Sequence, residues 1–382
     1  MKKPRKTKTQ TPTIKLHQGR IDFSILLAVT LLCAFGLVMV FSASYYYAQR
    51  TRTTNYDPYF FLSKQVVFLI IGYFVMLVLS RMDYKIIQRV HWPIYLVSVL
   101  LLILVLFIGV ELNGGRRWIL IAGVQIQPSE IAKFGMMIFM CAFMSKNRGK
   151  MHEFRGGMLP MLFVIGAVAG LVILQPNMSM AVIIAMIGVI LLFLGGADFK
   201  QLVILGIVGL GLVLILAFSE GYRAERMGNF MDPFEDPQGS GYQLIQSFYA
   251  LGSGGWFGKG LNNSFQKLLY MTYGESDFIF PILVEEFGLM GGLTVIFGYT
   301  WIFARGMRAA LRVRDRFGSL LAAGISIVLG VQVFINIAVI TGLMPTTGQA
   351  LPFISAGGTS MLVFMASMGV LLNITRDAEA YG

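Results

Sequence analysis

Charge and cysteine are both scarce in this 382-residue chain. Asp, Glu, Lys and Arg make up 13% of it, against about a quarter in soluble domains. A chain so poor in charge cannot clothe an ordinary water-soluble globule. The two cysteines, Cys33 and Cys141, both lie in apolar runs, which excludes a disulfide framework and a cysteine-bound metal. They read as small buried hydrophobes. No heptad run and no convincing internal repeat is present, so coiled coils and solenoids drop out. No GKS or GKT follows a strand, which removes a Walker-type nucleotide loop.

What fills the chain is apolar: 56% hydrophobic residues and a mean hydropathy of +0.71. A membrane span needs about 20 such residues to cross about 30 Å of hydrocarbon. Phe23–Gln49, Gln65–Ser80, Trp92–Val110, Pro128–Ser145, Gln201–Ser219 and Asp277–Ala304 each supply one. Gly156–Ala197 and Phe317–Thr375 are too long for one crossing. Each breaks once, at Gln175-Pro176-Asn177 and at Met344-Pro345-Thr346-Thr347-Gly348, and reads as two spans. The expected fold is therefore all-α, a polytopic integral membrane protein of ten transmembrane helices. Its large extracytoplasmic loop, 222–276, lies between helices 7 and 8.

The charges orient it. With the N-terminus inside, 21 of the 31 Lys and Arg fall in cytoplasmic segments, as the positive-inside rule requires. The net charge of +12 is thereby explained without nucleic acid. A basic tail, residues 1–21 with Lys2, Lys3, Arg5, Lys6 and Lys8, reads as a disordered cytoplasmic retention signal that touches anionic lipid. A cleaved signal ending at Ser42-Ala43-Ser44 is disfavoured, because the apolar run before it exceeds the 7–15 residues of a signal core. The membrane domain spans 22–375, and 376–382 form a short cytoplasmic tail.

Polar residues cluster at one membrane face, in segments 46–64, 111–127, 175–177, 222–276 and 343–358. Asn113-Gly114-Gly115-Arg116-Arg117-Trp118 reads as a tight turn. Pro128-Ser129-Glu130 reads as a helix start, where proline and a carboxylate both suit the first turn. Glu130 and Lys133, three apart, share a helix face and can pair. They are equally readable as a structural ion pair and as functional intramembrane charges. Asp277 stands at the head of the eighth span, where an N-cap and a reacting carboxylate are both compatible with it. Glu285 lies eight residues on, about 12 Å deeper, with Glu286 pointing elsewhere; both read as acceptors for backbone exposed by nearby glycines. The loop glycines Gly252-Ser253-Gly254-Gly255 and Gly258-Lys259-Gly260 permit close backbone approach. The turn at Leu351–Ser360 brings backbone N–H groups to the outer surface, where they suit an anion.

Six segments, in this order, carry a resemblance: GLVMVFSAS, GGRRWILIAGVQIQPSEIAK, ILQPNMSMAV, DPFEDPQGSGYQLIQSFYALGSGGWFGKGL, SDFIFPILVEEFG and MPTTGQALPFISAGGTS. From about Asp22 to Asn373 the chain resembles the SEDS family (shape, elongation, division and sporulation), nearer its FtsW/SpoVE branch than RodA. The resemblance implies a peptidoglycan glycosyltransferase that polymerises lipid II, an undecaprenyl-diphosphate-linked disaccharide pentapeptide, at the outer face of the bacterial plasma membrane. It implies Asp277 as the catalytic carboxylate. Substrate-binding positions are expected at Arg117, Trp118, Glu130, Lys133, Gln246, Ser253, Lys267, Ser355 and Gly357. The expected partners are a class B penicillin-binding protein and other divisome or elongasome proteins. A divalent cation, Mg2+ or Mn2+, is an expected cofactor, and no organic cofactor is. Two departures stand out. The family usually has Pro-Glu-x-His/Gln-Thr before the aspartate, where this chain has Thr272-Tyr273-Gly274-Glu275-Ser276, and an Asp where it has Asn177. A lipid II flippase and a non-catalytic scaffold for the penicillin-binding protein remain alternative readings.

Overall fold

The computed structural model describes residues 19–112, 115–121, 123–218, 228, 230–239, 241–268, 271 and 274–380. The basic tail through residue 18, Asn113-Gly114, the loop stretch 219–227 and Thr272-Tyr273 lie outside the described residues.

The chain is mostly helical. Its helices are α1 (Phe23–Arg50), α2 (Phe60–Leu79), α3 (Lys85–Arg89), α4 (His91–Ile108), α5 (Pro128–Lys146) and α6 (Leu159–Ile173). They continue with α7 (Met178–Gly195), α8 (Phe199–Phe218), α9 (Tyr242–Ser253), α10 (Ile279–Arg312), α11 (Arg316–Ile340) and α12 (Gly358–Ala380). Among the described residues eight of these are long and apolar enough to cross a membrane: α1, α2, α4, α6, α7, α10, α11 and α12. This is a multi-pass membrane protein. Helix α5 has 19 residues but carries Glu130 and Lys133, and the apolar stretch of α8 runs Phe199–Ile215.

The helix starts follow local chemistry. Asp22 caps α1, its carboxylate accepting from the backbone N–H groups of Ser24 and Ile25. Asn177 caps α7 by accepting from Met180 N at 3.3 Å. Asn caps a helix as well as Asp does, so the departure at 177 leaves capping intact. Pro128 opens α5 at a position that needs no N–H.

One element has no counterpart in the all-α expectation. Three short strands form an antiparallel sheet in the order β1 (Val110–Leu112), β2 (Gly115–Ile121), β3 (Val124–Ile126). Trp118 pairs with Val110, and Ile119 with Ile126. Arg116-Arg117-Trp118 are thus strand residues, where the sequence predicts a tight turn. The strands are too short for a clear alternation pattern, and the flanking glycines suggest a turn.

Helix α11 is the most buried of the candidate spans and α2 the least. The first packs along α10 and against α5, α7 and α12, while α2 lies along α12. Lipid chains are as apolar as leucine, so close packing rather than the hydrophobic effect holds such helices together. Gly318, Ala322, Ala323, Gly324 and Ser326 are all buried on α11 and allow that approach.

Helix α10 is two helices in one. It breaks at Gly288, whose φ of 72° and ψ of −176° are inaccessible to residues with a side chain at low cost. The break separates a fully buried upper half, Ile279–Glu286, from a longer lower half. The glycine-rich loop fills the gap. Lys259 N and Gly260 N donate to the carbonyls of Glu285 and Glu286, both at 2.9 Å. Leu289 N and Met290 N donate to Gly255 O and Trp256 O at 2.9 and 3.1 Å. A Cβ on Gly258 would sit 2.2 Å from Glu286 O, and one on Gly288 2.3 Å from Trp256 O. The loop glycines therefore serve helix docking. Gly288→Ala combines a forbidden conformation with a backbone clash and should cost about 3 kcal/mol, read as a lower unfolding temperature in detergent.

Candidate active site at the head of the broken helix

Asp277 is half-buried, two residues before α10 begins. The Ser276 hydroxyl donates to Asp277 Oδ1 at 2.9 Å. Asn336 Nδ2, from α11, donates to the Asp277 carbonyl at 3.0 Å and to Gln349 O at 2.7 Å. Gly348, at φ 65°, brings its backbone so close that a Cβ there would lie 3.2 Å from Asp277 Oδ2.

The connector from α11 to α12 forms the wall beside it. Ser355 Oγ donates to Ser276 O at 2.6 Å and accepts from Leu351 N at 2.8 Å. Ala356 N donates to Glu275 O at 2.9 Å, and Gln65 Nε2 to Ser355 O at 3.2 Å. Ser355 thus holds the stretch of chain that presents Asp277. Gly357 follows at the start of α12, and a Cβ there would meet only ordinary contacts. Ser355→Ala removes a donor and an acceptor at once. It should cost about 1–3 kcal/mol, measurable as a fall in unfolding temperature.

Beneath the site runs a buried polar chain. Lys133 is fully buried and its ammonium lies 2.8 Å from Glu130 Oε2. It also donates to Gln332 Oε1 of α11, and Gln332 Nε2 donates to Ala350 O at 3.0 Å. Asn336, one turn further along α11, reaches Asp277. Glu130 and Lys133 therefore connect to the Asp277 segment through Gln332, Asn336 and the 349–350 backbone, and neither lies at the surface. Gln332 and Asn336 are not among the sequence-predicted positions. A signal for them exists: two polar residues four apart in an apolar span share one helix face.

The other expected positions lie apart. Arg117, on β2, donates to Gln175 O at 3.3 Å and to Pro176 O, so it ties the sheet to the α6–α7 turn. Trp118 is half-buried beside it. The sheet in turn meets the head of α12, where Thr359 Oγ1 donates to Gln125 O and accepts from Gln127 N, both at 3.1 Å. Gln246 is half-buried on α9, next to Ser247, whose hydroxyl donates to Ile340 O at 2.7 Å.

Ser253 and Lys267 lie at the lower end of the α10 upper half. Ser253 Oγ donates to Glu285 Oε1 at 3.1 Å and accepts from Lys259 Nζ at 2.9 Å. Lys259 Nζ also lies 2.7 Å from Glu285 Oε1. Lys267 Nζ lies 2.8 Å from Glu286 Oε1. The sequence suggests glycine backbone as the partner of both glutamates. The structure corrects this: lysine ammonium groups, serine hydroxyls and the N–H groups of Phe265 and Gln266 occupy them.

Two loop groups are electrostatically perturbed. Burial pushes the Glu275 carboxyl above the usual carboxylate range, and the neighbouring Asp277 charge adds to the effect. Burial also lowers the Lys267 ammonium, opposed by its contact with Glu286.

A polytopic helical bundle with a half-exposed carboxylate held at the head of a candidate span, connected to a buried ion pair, defines the class: a multi-pass membrane protein with a polar site at the end of a spanning helix. The chain belongs to the FtsW/RodA/SpoVE family of cell cycle proteins, whose model matches residues 23–380. It is 37% identical to the "Probable peptidoglycan glycosyltransferase FtsW" of Geobacter sp. (strain M18), over 93% of this chain and 96% of that one. It is 38% identical to the "Stage V sporulation protein E" of Bacillus subtilis (strain 168), over 93% and 97% of the two. Thermus thermophilus RodA, a rod shape determining protein of known crystal structure, superposes with a TM-score of 0.68 at 26% identity, over 93% of this chain and 97% of that one. A chain of a peptidoglycan synthase complex, solved for its coordination of polymerization and crosslinking, superposes with a TM-score of 0.76 at 28% identity. That match covers 94% of this chain and 98% of the other.

Proposed function

We propose that this chain is a peptidoglycan glycosyltransferase, polymerising lipid II at the outer face of the bacterial plasma membrane. Asp277 carries the reading. Its side chain is half-exposed; its carboxylate accepts from the Ser276 hydroxyl, its carbonyl from Asn336 Nδ2, and the Ser355 hydroxyl holds the carbonyl of the preceding residue, Ser276. A general base must be held in this way while remaining open to its substrate.

The reaction joins an acceptor sugar hydroxyl to the anomeric carbon of a donor. Asp277 takes the hydroxyl proton as the oxygen attacks, and the bond from that carbon to the lipid diphosphate breaks. The donor is α-linked and the product β-linked, so one inverting displacement completes the transfer without a covalent enzyme intermediate. Arg117, Trp118, Gln246 and Gly357 are the substrate-facing positions of this reading, with Ser355 shaping the wall. Glu130 and Lys133 act from beneath, through Gln332.

The donor set around Asp277 suits a hard divalent cation. Asn336 Oδ1, Thr347 Oγ1 and Gln349 Oε1 are buried oxygens without a hydrogen-bond partner among the described residues. Oxygen ligands favour Mg2+ or Mn2+, ions commonly held by one or two carboxylates plus substrate phosphates. Among the described residues no three His, Cys, Asp or Glu side chains come together as a metal site. Asp277 and Gln349 would hold it, and it would neutralise charge on the departing diphosphate. Chelation of purified protein should suppress polymer formation from labelled lipid II, and Mg2+ or Mn2+ should restore it. Unchanged yield in chelator would remove the cation from this reading.

The topology belongs to the same proposal: ten crossings, with α5 and α8 added to the eight apolar helices, and both termini cytoplasmic. A class B penicillin-binding protein that crosslinks the new glycan is the partner, and polymerisation measured with and without it tests the assignment directly. Enrichment at the division site belongs to the same proposal.

A further inference from the structure

Asp277 and the pair Glu285–Glu286 stand at opposite ends of one short rigid rod, about 12 Å apart. Every residue from Ile279 to Glu286 is buried, and the rod ends at the Gly288 break. Nothing downstream in α10 can orient it through continuous helix. Its lower end is instead held by the loop 253–267 and by α1. Glu286 accepts from the Ser42 hydroxyl of α1 at 2.7 and 2.9 Å through its two oxygens, and lies 2.8 Å from Lys267 Nζ. Both side chains of that ion pair are fully inaccessible. Glu285 accepts from Lys259, Ser253, Ser264, Phe265 N and Gln266 N.

Lys267 has no donor to spare. An ammonium offers three N–H groups, and here they go to Ser42 Oγ at 2.9 Å, Asn262 Oδ1 at 2.5 Å and Glu286 Oε1 at 2.8 Å. A substrate phosphate would find this cation both buried and saturated.

We infer that Lys267 and Glu286, with Ser42, are positioning residues for the glycosyl transfer: they pin the foot of the Ile279–Phe287 half-helix and thereby aim Asp277 at its head. The inference rests on Asp277 being the reacting carboxylate. Buried ion pairs are seldom favoured over an apolar pair of similar volume, so this one is retained for geometry. Loop, α1 and broken helix then form one block, and the docking of the loop sets the reactive end.

The test uses the full-length protein, co-purified with its penicillin-binding partner, and reads kcat and KM for labelled lipid II. Lys267→Met leaves Glu286 buried and unpaired. It should lower kcat by about 100-fold, as an ångström of misplacement does, with KM within about twofold of the parent. The double variant Lys267→Met/Glu286→Leu restores an uncharged, filled contact and should recover kcat to within about tenfold of the parent. If Lys267 instead bound the diphosphate, the double variant would stay as inactive as the single one with a raised KM, and the inference would be overturned. Should the double variant not fold, Lys267→Arg decides. Retained pairing predicts an unchanged KM and a kcat reduced a few-fold at most, whereas a raised KM overturns the inference. Asp277→Asn runs alongside as the inactive reference. Activity in that variant would refute the base assignment, separately from the clamp.

Discussion

Asp277→Asn should abolish glycan polymerisation while leaving the protein folded and bound to its partner. The amide keeps an oxygen to accept from the Ser276 hydroxyl, and the backbone bond from Asn336 is unaffected. What is lost is the ability to take a proton. A positioned general base contributes about 10²- to 10⁴-fold, so polymer from labelled lipid II should fall by at least about 100-fold. The unfolding temperature should stay near that of the parent, because the site is half-exposed and the bonds to Ser276 and Asn336 survive. Polymer yield equal to the parent's would refute Asp277 as base. It would also revive two alternatives, a flippase, testable by lipid II translocation in vesicles, and a scaffold acting only through its partner.

The second large effect lies beneath the site. Lys133→Met strands Glu130, which is 4% exposed, without its cation in the middle of the bundle. It also removes the donor to Gln332, the link from α5 to the Asp277 connector. Breaking a buried pair from one side typically costs about 3–5 kcal/mol. The variant should unfold at a clearly lower temperature in detergent, and Lys133→Arg should recover part of that loss by keeping the charge. Thermal stability equal to the parent's in Lys133→Met would show that Glu130 finds another partner or takes up a proton at little cost.

The two predictions concern residues that differ in legibility. Asp277 can be found in the chain because it heads an apolar span beside a long polar loop, inside the run SDFIFPILVEEFG. Glu130 and Lys133 are legible as a pair, since three residues apart on a helix brings side chains together. Their third member is not. Gln332 is 199 residues from Lys133, and no local pattern links them. The same holds for Ser42 and Glu286, 244 residues apart and bonded at 2.7 Å. The composition of the glycine-rich loop does announce close backbone approach, but not what approaches. Its target is the backbone of a helix broken at Gly288. That break is invisible in an apolar run that otherwise reads as one continuous span.

Composition alone was enough to indicate a multi-pass membrane protein, because hydrocarbon admits only long apolar helices. The order of the sequence motifs added, through a family resemblance, the expectation that Asp277 is the reacting carboxylate. The three-dimensional arrangement supplied what local sequence has no means to encode. It joins α1, α5 and α11 to the Asp277 segment, and it turns Glu285 and Glu286 from acceptors of glycine backbone into anchors for two lysines. Buried charges and broken helices must be satisfied by whatever lies next to them in space, and those neighbours are set by packing rather than by position along the chain.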